Sequence, residues 1–251
     1  MEPATYSIIL PAYNESARIA ATLDKILAHA TNRGWNLEII VVNDGSTDTT
    51  ANIVCEYARK HPILRLLENP GNRGKGYSVR NGMLHAKGEI LLFSDADLSS
   101  PIEEAEKLFE AIGKGADIAV GSRWMDPRLQ IRRQPLYRRV FGRIFNLALR
   151  VVLGLQFKDT QCGFKAFTRR SARAIFSLQK IERWGFDPEL LFLAAKSGFV
   201  VREVPVAWSH REGTRLHPLR DGIRMFGELL KIRWFALKGN YTPAQPVSQP
   251  M

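Results

Sequence analysis

"LLFSDADLSSP", residues Leu91 to Pro101, decides how the rest of the chain is read. An apolar run of strand length ends in two carboxylates two residues apart. Pro101 follows, a residue suited to the first turn of a helix. Neighbouring acids repel, and burying either one unpaired is costly. A surface turn accounts for the pair, and so does a bound cation. On an extended turn, residues i and i+2 can point to one side, so Asp95 and Asp97 can present both carboxylates to one ion. Mg2+ and Mn2+ prefer oxygen ligands, and Mg2+ is typically held by one or two carboxylates plus substrate phosphates. A D-x-D pair alone is common by chance, so its surroundings decide between turn and metal.

Outward from this unit the same strand-to-helix alternation repeats. "YSIIL" (6–10), "LEIIVVN" (37–43), "ILRLLE" (63–68), "EILLFS" (89–94) and "DIAVGS" (117–122) are short, continuous apolar runs. Helical segments are expected at 16–31, from about Thr47 to His61, up to about Lys87, and from Pro101. Continuous runs suit strands buried on both faces, and the alternation implies βαβ units and a mainly parallel sheet. The expected class is α/β, a Rossmann-like sheet flanked by helices, in a first half spanning 1–122.

The second half, 123–239, differs. From Arg128 to Arg150 the chain carries seven arginines and no acid. A helix over 138–155 sets Arg139, Arg143 and Arg150 on one face and Phe141, Ile144, Phe145, Ala148 and Val152 on another. A smaller α+β stretch follows: "GFKAF", a helix through Phe176, another from about Pro188 to Lys196, and "FVVREVPVAW". A last helix over 218–238 aligns Leu219, Ile223, Phe226, Leu230, Trp234 and Leu237 along one side, with Arg220, Arg224 and Lys231 on the other. The proline-rich tail 240–251 is expected to be disordered.

The net charge of +11 points to an anionic partner: nucleic acid, phosphorylated small molecules or an acidic membrane surface. The arginines are not interleaved with an aromatic stacking stripe, so nucleic acid is not expected as the partner. Cys55 and Cys162 stand far apart in no CxxC pattern, which excludes a disulfide scaffold and fits a reducing compartment. They read as packed thiols. The N-terminus has no basic segment ahead of a long apolar one, so no signal peptide is expected. No apolar run approaches ~18 residues, so no spanning helix is expected.

In open parallel sheets, ligands bind at the carboxyl ends of the strands. Four polar motifs fall there: "PAYNE" (11–15), "VNDGSTD" (42–48), "NPGNRGKGYSVRNG" (69–82) and "SDADLSSP" (94–101). Each alone reads as turn and cap chemistry. Together on one edge they read as a ligand site. "GNRGKG" is neither a P-loop nor a dinucleotide fingerprint. Gly74 and Gly76 would let the backbone approach a ligand, and Lys75 and Arg80 would offset phosphate charge.

"SIILPAYNE", "IIVVNDGSTDTT", "NRGKGYSVRNG", "LLFSDADLS" and "VGSRW" together resemble the family 2 glycosyltransferases with a GT-A fold. "DTQCGFKAF" (159–167) and "WGFDPELLFLA" (184–194) narrow the resemblance to the polyprenyl-phosphate sugar transferases, nearest the dolichyl-phosphate β-glucosyltransferases and the related mannosyl enzymes. The resemblance implies that Pro11, Tyr13, Glu15 and Asp44 hold the base and ribose of a nucleotide sugar. It puts Lys75 near the nucleotide or its phosphates, Asp95 on the ribose–diphosphate side, and Asp97 on Mg2+ or Mn2+. Ser99 stands where related mannosyl enzymes carry a Gln. Arg123, Arg138 and Arg139 would receive the phosphate of a polyprenyl phosphate, and Arg211 of "REGTR" would close over the donor diphosphate. Asp187 and Glu189 of "FDPE" would bind or orient the sugar; as residues alone, they equally read as acids favoured at a helix N-terminus.

The implied reaction is inverting transfer of a hexose, glucose from UDP-glucose first and mannose from GDP-mannose second, by an enzyme peripheral on the cytoplasmic face of a membrane. The basic amphipathic helices suit an anionic bilayer surface. A related enzyme with a sugar or protein acceptor, and a non-catalytic nucleotide-sugar sensor, are the other readings. The intact D-x-D argues against the sensor.

Overall fold

The computed structural model describes residues 4–132, 136–209 and 218–242. Its first half is a succession of βα units: β1 (Tyr6–Ala12), α1 (Ile19–Arg33), β2 (Leu37–Asn43), α2 (Thr50–Lys60), β3 (Leu64–Glu68), α3 (Lys75–His85) and β4 (Ile90–Ser94). A 3-10 turn over Ile102–Glu104 leads into α4 (Ala105–Gly113), and β5 (Ile118–Ser122) follows. The second half comprises β6 (Gln130–Arg132), α5 (Leu136–Leu153), β7 (Phe164–Thr168), α6 (Arg169–Leu178), α7 (Phe186–Lys196), β8 (Val201–Pro205), β9 (Trp208–Ser209) and α8 (Pro218–Leu237).

One seven-stranded sheet has the order β3-β2-β1-β4-β7-β5-β8. All its neighbours pair parallel except β7, which runs antiparallel to both β4 and β5. The sheet is therefore mostly parallel, as expected, and both halves of the chain contribute to it: β7 and β8, from beyond residue 122, complete it. Alternate residues of a strand face opposite sides. Ile9, Ile40, Val42, Leu91 and Phe93 pack on one face, and Ile8, Leu10, Ile39, Val41 and Leu92 on the other. Both faces are covered, which is why the runs are apolar throughout.

Several boundaries shift for identifiable reasons. α2 begins at Thr50, not Thr47, because Ser46 to Asp48 are engaged by the β1–α1 loop: Asn14 N–H donates to Ser46 Oγ at 2.9 Å, Thr47 N–H to Asn14 Oδ1 at 2.7 Å, and Ser16 N–H to Asp48 at 3.2 Å. The side chain that bonds the opening residue of α2 is Asp48, which accepts from Thr50 N–H at 2.9 Å. α7 begins at Phe186, which places Asp187, Pro188 and Glu189 in its first turn.

α5 and α8 lie against each other, with the Phe145 and Phe226 rings 5.7 Å apart. α5 buries Phe145, Leu149 and Leu153, while Leu147 and Val151 face outward. In α8 the expected single apolar side is two. Leu229 and Ile232 are buried in the core, and Phe226, Leu230, Trp234 and Leu237 are 40%, 63%, 50% and 75% exposed. The tail also starts later than expected, since Tyr241 is buried; residues 243–251 lie outside the described residues.

Candidate active site

The chain leaves β1 for β2 on one side and reaches β4 on the other, so a crevice opens at the carboxyl ends of β1 and β4. Asp95 and Asp97 stand there, on a tight turn. Leu98 adopts a left-handed backbone at φ 46°, its N–H donating to Asp95 C=O at 3.1 Å. A buried leucine in that region is strained, and such strain gathers at functional sites. Ser99 N–H donates to Asp97 Oδ1 at 2.9 Å, and Ser99 C=O accepts from Ser209 N–H at 2.8 Å. Both backbone groups of Ser99 are thus spent on shaping the turn and docking β9.

Lys75 opens α3 and reaches across to Asp95, Nζ to Oδ1 2.6 Å. Its ammonium lies 5.6 Å from the Trp184 ring and 6.0 Å from the Phe186 ring. Burial works against its charge, but Asp95, then Asp187, outweigh burial and hold its pKa above the usual lysine value. Asp44, at the end of β2, folds the loop that carries Lys75. It accepts from Arg73 N–H at 2.9 Å, Gly74 N–H at 2.8 Å and Asn69 Nδ2 at 2.8 Å. Pro11 lies one residue before the end of β1, in register with Val42. Tyr13 follows, and Glu15 N–H donates to Thr50 Oγ1 at 2.8 Å while its carboxylate pairs with Arg18. Asp95, Asp97, Lys75 and Asp187 thus come together, with Asp44 behind the loop and Pro11 to Glu15 on the adjacent strand end.

β7 brings residues that motif reading missed. Lys165, fully buried, donates to Cys162 C=O at 2.6 Å and pairs with Asp187. Burial pushes the Asp187 carboxyl up, and Lys165 and then Lys75 oppose the shift. Lys165, Asp187, Lys75 and Asp95 form a run of alternating charges leading from the core to the Asp95–Asp97 turn. Gly163 packs against the Asp95 carboxylate: a Cβ there would stand 2.7 Å from its Cγ. A lysine in an otherwise apolar strand, two residues after a glycine, is the signal for both, since i and i+2 share a strand face. Cys162 is a packed thiol as expected, pushed up to about 12 by burial and then by Asp159, whereas Cys55, expected to pack as well, is exposed on α2.

Two other residues sit differently from expectation. Glu189 is fully buried. Its oxygens accept from Lys180 N–H at 2.9 Å, Ile181 N–H at 2.8 Å and Tyr241 OH at 2.6 Å. It has no exposed atom to offer a sugar, which corrects the sugar-orienting expectation. Arg123 follows β5, and its fork is engaged by Asp159, Nε to Oδ2 2.7 Å and Nη2 to Oδ1 2.8 Å. Burial opposes its charge, and Asp159 more than offsets that. The guanidinium also lies 5.4 Å from the Trp208 ring. The side chains of Arg138 and Arg139 lie outside the described ones, and residues 211–215, with Arg211, lie outside the described residues.

Asp95 and Asp97 are hard oxygen donors on one turn, and Asp95 is paired with the Lys75 ammonium. Among the described residues, no three His, Cys, Asp or Glu side chains gather to hold a metal alone. That donor set fits a Mg2+ or Mn2+ ion completed by substrate phosphates, not a protein cage.

The family model of glycosyl transferase family 2 matches residues 7–176. A dolichyl-phosphate beta-glucosyltransferase of Trichomonas vaginalis is 40% identical, the match covering 98% of this chain and 75% of that protein. The dolichyl-phosphate beta-glucosyltransferase of Homo sapiens is 33% identical over 93% of this chain and 76% of its own length. Among solved structures, glucosyl-3-phosphoglycerate synthase from Mycobacterium tuberculosis, in complex with Mn2+, UDP and glucosyl-3-phosphoglycerate, superposes with a TM-score of 0.67 at 21% identity, covering 99% of this chain and 84% of that one. That likeness establishes the shared GT-A architecture.

Proposed function

The chain belongs to glycosyl transferase family 2, and from that premise we propose that it transfers glucose from UDP-glucose to dolichyl phosphate, with inversion, at a membrane surface. The observation that carries this reading is the Asp95–Asp97 turn at the β1/β4 crevice with Lys75 seated on it. The dolichyl-phosphate acceptor is supported by the names of the relatives. UDP-glucose and a divalent metal are supported by the fold neighbour, which has been solved with Mn2+ and UDP-glucose and with Mg2+ and UDP.

In this reading Asp97 and Asp95 hold Mg2+ or Mn2+ together with the donor diphosphate. Such an ion, when bound there, would offset the charge that grows on the departing diphosphate. Pro11, Tyr13 and Glu15 line the base and ribose side, and Asp44 keeps the Lys75 loop folded beside them. Lys75 adds a fixed positive charge near the diphosphate. The acceptor phosphate is already ionised near neutral pH and needs no strong base. One of its oxygens bonds to the anomeric carbon, the bond from that carbon to the UDP oxygen breaks, and UDP leaves with the electron pair. Asp187, held by Lys165, orients the sugar. Arg123 receives the acceptor phosphate with N–H groups that Asp159 leaves available, and Arg138, Arg139 and Arg211 complete the basic surroundings of the two phosphorylated substrates.

Removing Arg123 outright would strand buried Asp159, a change worth roughly 3–5 kcal/mol in destabilisation. Arg123→Lys keeps a cation for Asp159 and loses the planar fork that suits phosphate. That variant is expected to raise KM for dolichyl phosphate about tenfold, the loss of ~1.4 kcal/mol, with KM for the nucleotide sugar nearly unchanged. The opposite ranking in steady-state kinetics would mean that the two substrates are placed wrongly.

The membrane contact is assigned to the outward stripe of α8. Phe226, Leu230, Trp234 and Leu237 are exposed beside Arg224, Lys231 and Lys238, and the Lys238 ammonium lies 4.8 Å from the Trp234 ring. Apolar side chains bordered by basic ones suit the headgroup region of an anionic, cytoplasmic leaflet. Among the described residues, no helix is long and apolar enough to cross a membrane. Leu230→Glu is expected to abolish co-sedimentation with phosphatidylserine-containing vesicles at low salt. Undiminished binding, or equal wild-type binding to pure phosphatidylcholine, would contradict the assignment.

A further inference from the structure

Residues 179–185, between α6 and α7, wrap the N-terminus of α3. Tyr77 N–H donates to Glu182 C=O at 2.9 Å, and Arg73 pairs with Glu182 at 2.7 Å. Gln179 Nε2 donates to Gly76 C=O at 3.0 Å and to Ile181 C=O at 2.8 Å. The approach is too close for side chains on the two glycines flanking Lys75. A Cβ on Gly74 would meet Glu182 C=O at 2.8 Å, and one on Gly76 would meet Ile181 C=O at 2.7 Å. The same segment carries Trp184, whose ring flanks the Lys75 ammonium.

This segment is itself fastened from behind. Glu189 takes the N–H groups of Lys180 and Ile181, and Tyr241, just past the end of α8, donates its hydroxyl to Glu189. Glu228, within α8, accepts the N–H of Gly185, and the contact is so close that a Cβ on Gly185 would stand 2.8 Å from that of Glu228. The Tyr241 ring is anchored against Phe235 of α8 and Phe192 of α7. None of Tyr241, Glu189 or Glu228 reaches the Asp95–Asp97 turn, yet two of the three fastenings come from the C-terminal helix and its cap.

We infer that residues 179–185 are a strap through which the C-terminal helix sets Lys75 in the donor site, with Tyr241, Glu189 and Glu228 as positioning residues for diphosphate binding. The inference rests on the donor reading above. If the strap acts by placing Lys75, loosening it weakens nucleotide binding only while Lys75 is present. Residues that act through one another are non-additive.

The test is a double-mutant cycle read by calorimetric titration of UDP in the presence of Mn2+. Tyr241→Phe and Glu228→Ala are each expected to weaken UDP binding by about 5-fold to 10-fold, with little further effect in a Lys75→Ala background. Circular dichroism on each variant establishes that it is folded. Tyr241→Phe removes one hydroxyl and no bulk, so it remains informative if Glu228→Ala does not fold. UDP binding unchanged in the folded single variants would overturn the inference, and so would effects that persist undiminished without Lys75. Wild-type protein that binds no UDP would overturn the donor reading and the inference with it, whereas wild-type binding shared equally by the variants would overturn the inference alone.

Discussion

Asp97→Asn is expected to lower metal-dependent sugar transfer by roughly 10³-fold while leaving the fold intact. Asparagine keeps the shape of the side chain and an oxygen to accept the Ser99 N–H now bonded at 2.9 Å, so the turn has what it needs to form. What would be lost, on the proposed reading, is a carboxylate charge offered to the metal and the diphosphate. A bound metal contributes several kcal/mol of charge stabilisation at a transition state, and each ~1.4 kcal/mol is a factor of ten in rate. Among the described residues no third acidic, thiol or imidazole ligand stands by to compensate. Circular dichroism and thermal melting would confirm folding, and initial rates across a Mn2+ titration would report the loss. Wild-type rates in this variant would remove Asp97 from the metal site.

Gly163→Ala is expected to cost about 10²-fold in kcat/KM with a melting temperature close to that of the wild type. The added methyl would lie 2.7 Å from Asp95 Cγ, closer than non-bonded carbons can approach. What must move is the end of a partly exposed side chain, not backbone, so folding loses little. The Asp95 carboxylate cannot stay where it is, however, and its pairing with Lys75 moves with it. Displacing a catalytic group by about 1 Å can reduce activity by that factor. A melting temperature that falls sharply along with activity would mean that Gly163 serves packing. Unchanged activity would mean that Asp95 has slack that the geometry does not suggest.

Much of this arrangement is legible in the chain before any coordinates. Five apolar runs of strand length, four of them followed by a polar motif, place Asp44, Lys75, Asp95 and Asp97 on one edge, because a parallel sheet puts all its strand ends together. The antiparallel entry of β7 between β4 and β5 is not legible. "FKAFT" has the composition of its neighbours, and composition says nothing of strand direction. With that insertion hidden, Lys165 and Gly163 could not be placed beside Asp187 and Asp95. Glu189 was misplaced for a related reason: a helix N-terminal acid looks the same from sequence whether it faces a crevice or a buried loop, and its partner Tyr241 lies 52 residues away. A helical projection of α8 picks out the stripe of Phe226, Leu230, Trp234 and Leu237, and Leu229 and Ile232 fall outside it. Only the packing of Leu229 and Ile232 shows which face the core takes.

The most direct measurement of the central claim is a transfer assay with the purified protein, dolichyl phosphate in detergent or vesicles, and Mn2+ or Mg2+. Radiolabelled UDP-glucose, GDP-mannose and other nucleotide sugars would be offered one at a time. The predicted result is label entering the lipid phase from UDP-glucose, abolished by chelating the metal and by omitting dolichyl phosphate. Label passing instead from GDP-mannose would contradict the donor assignment, and the absence of lipid-linked label from any donor would contradict the proposed function itself.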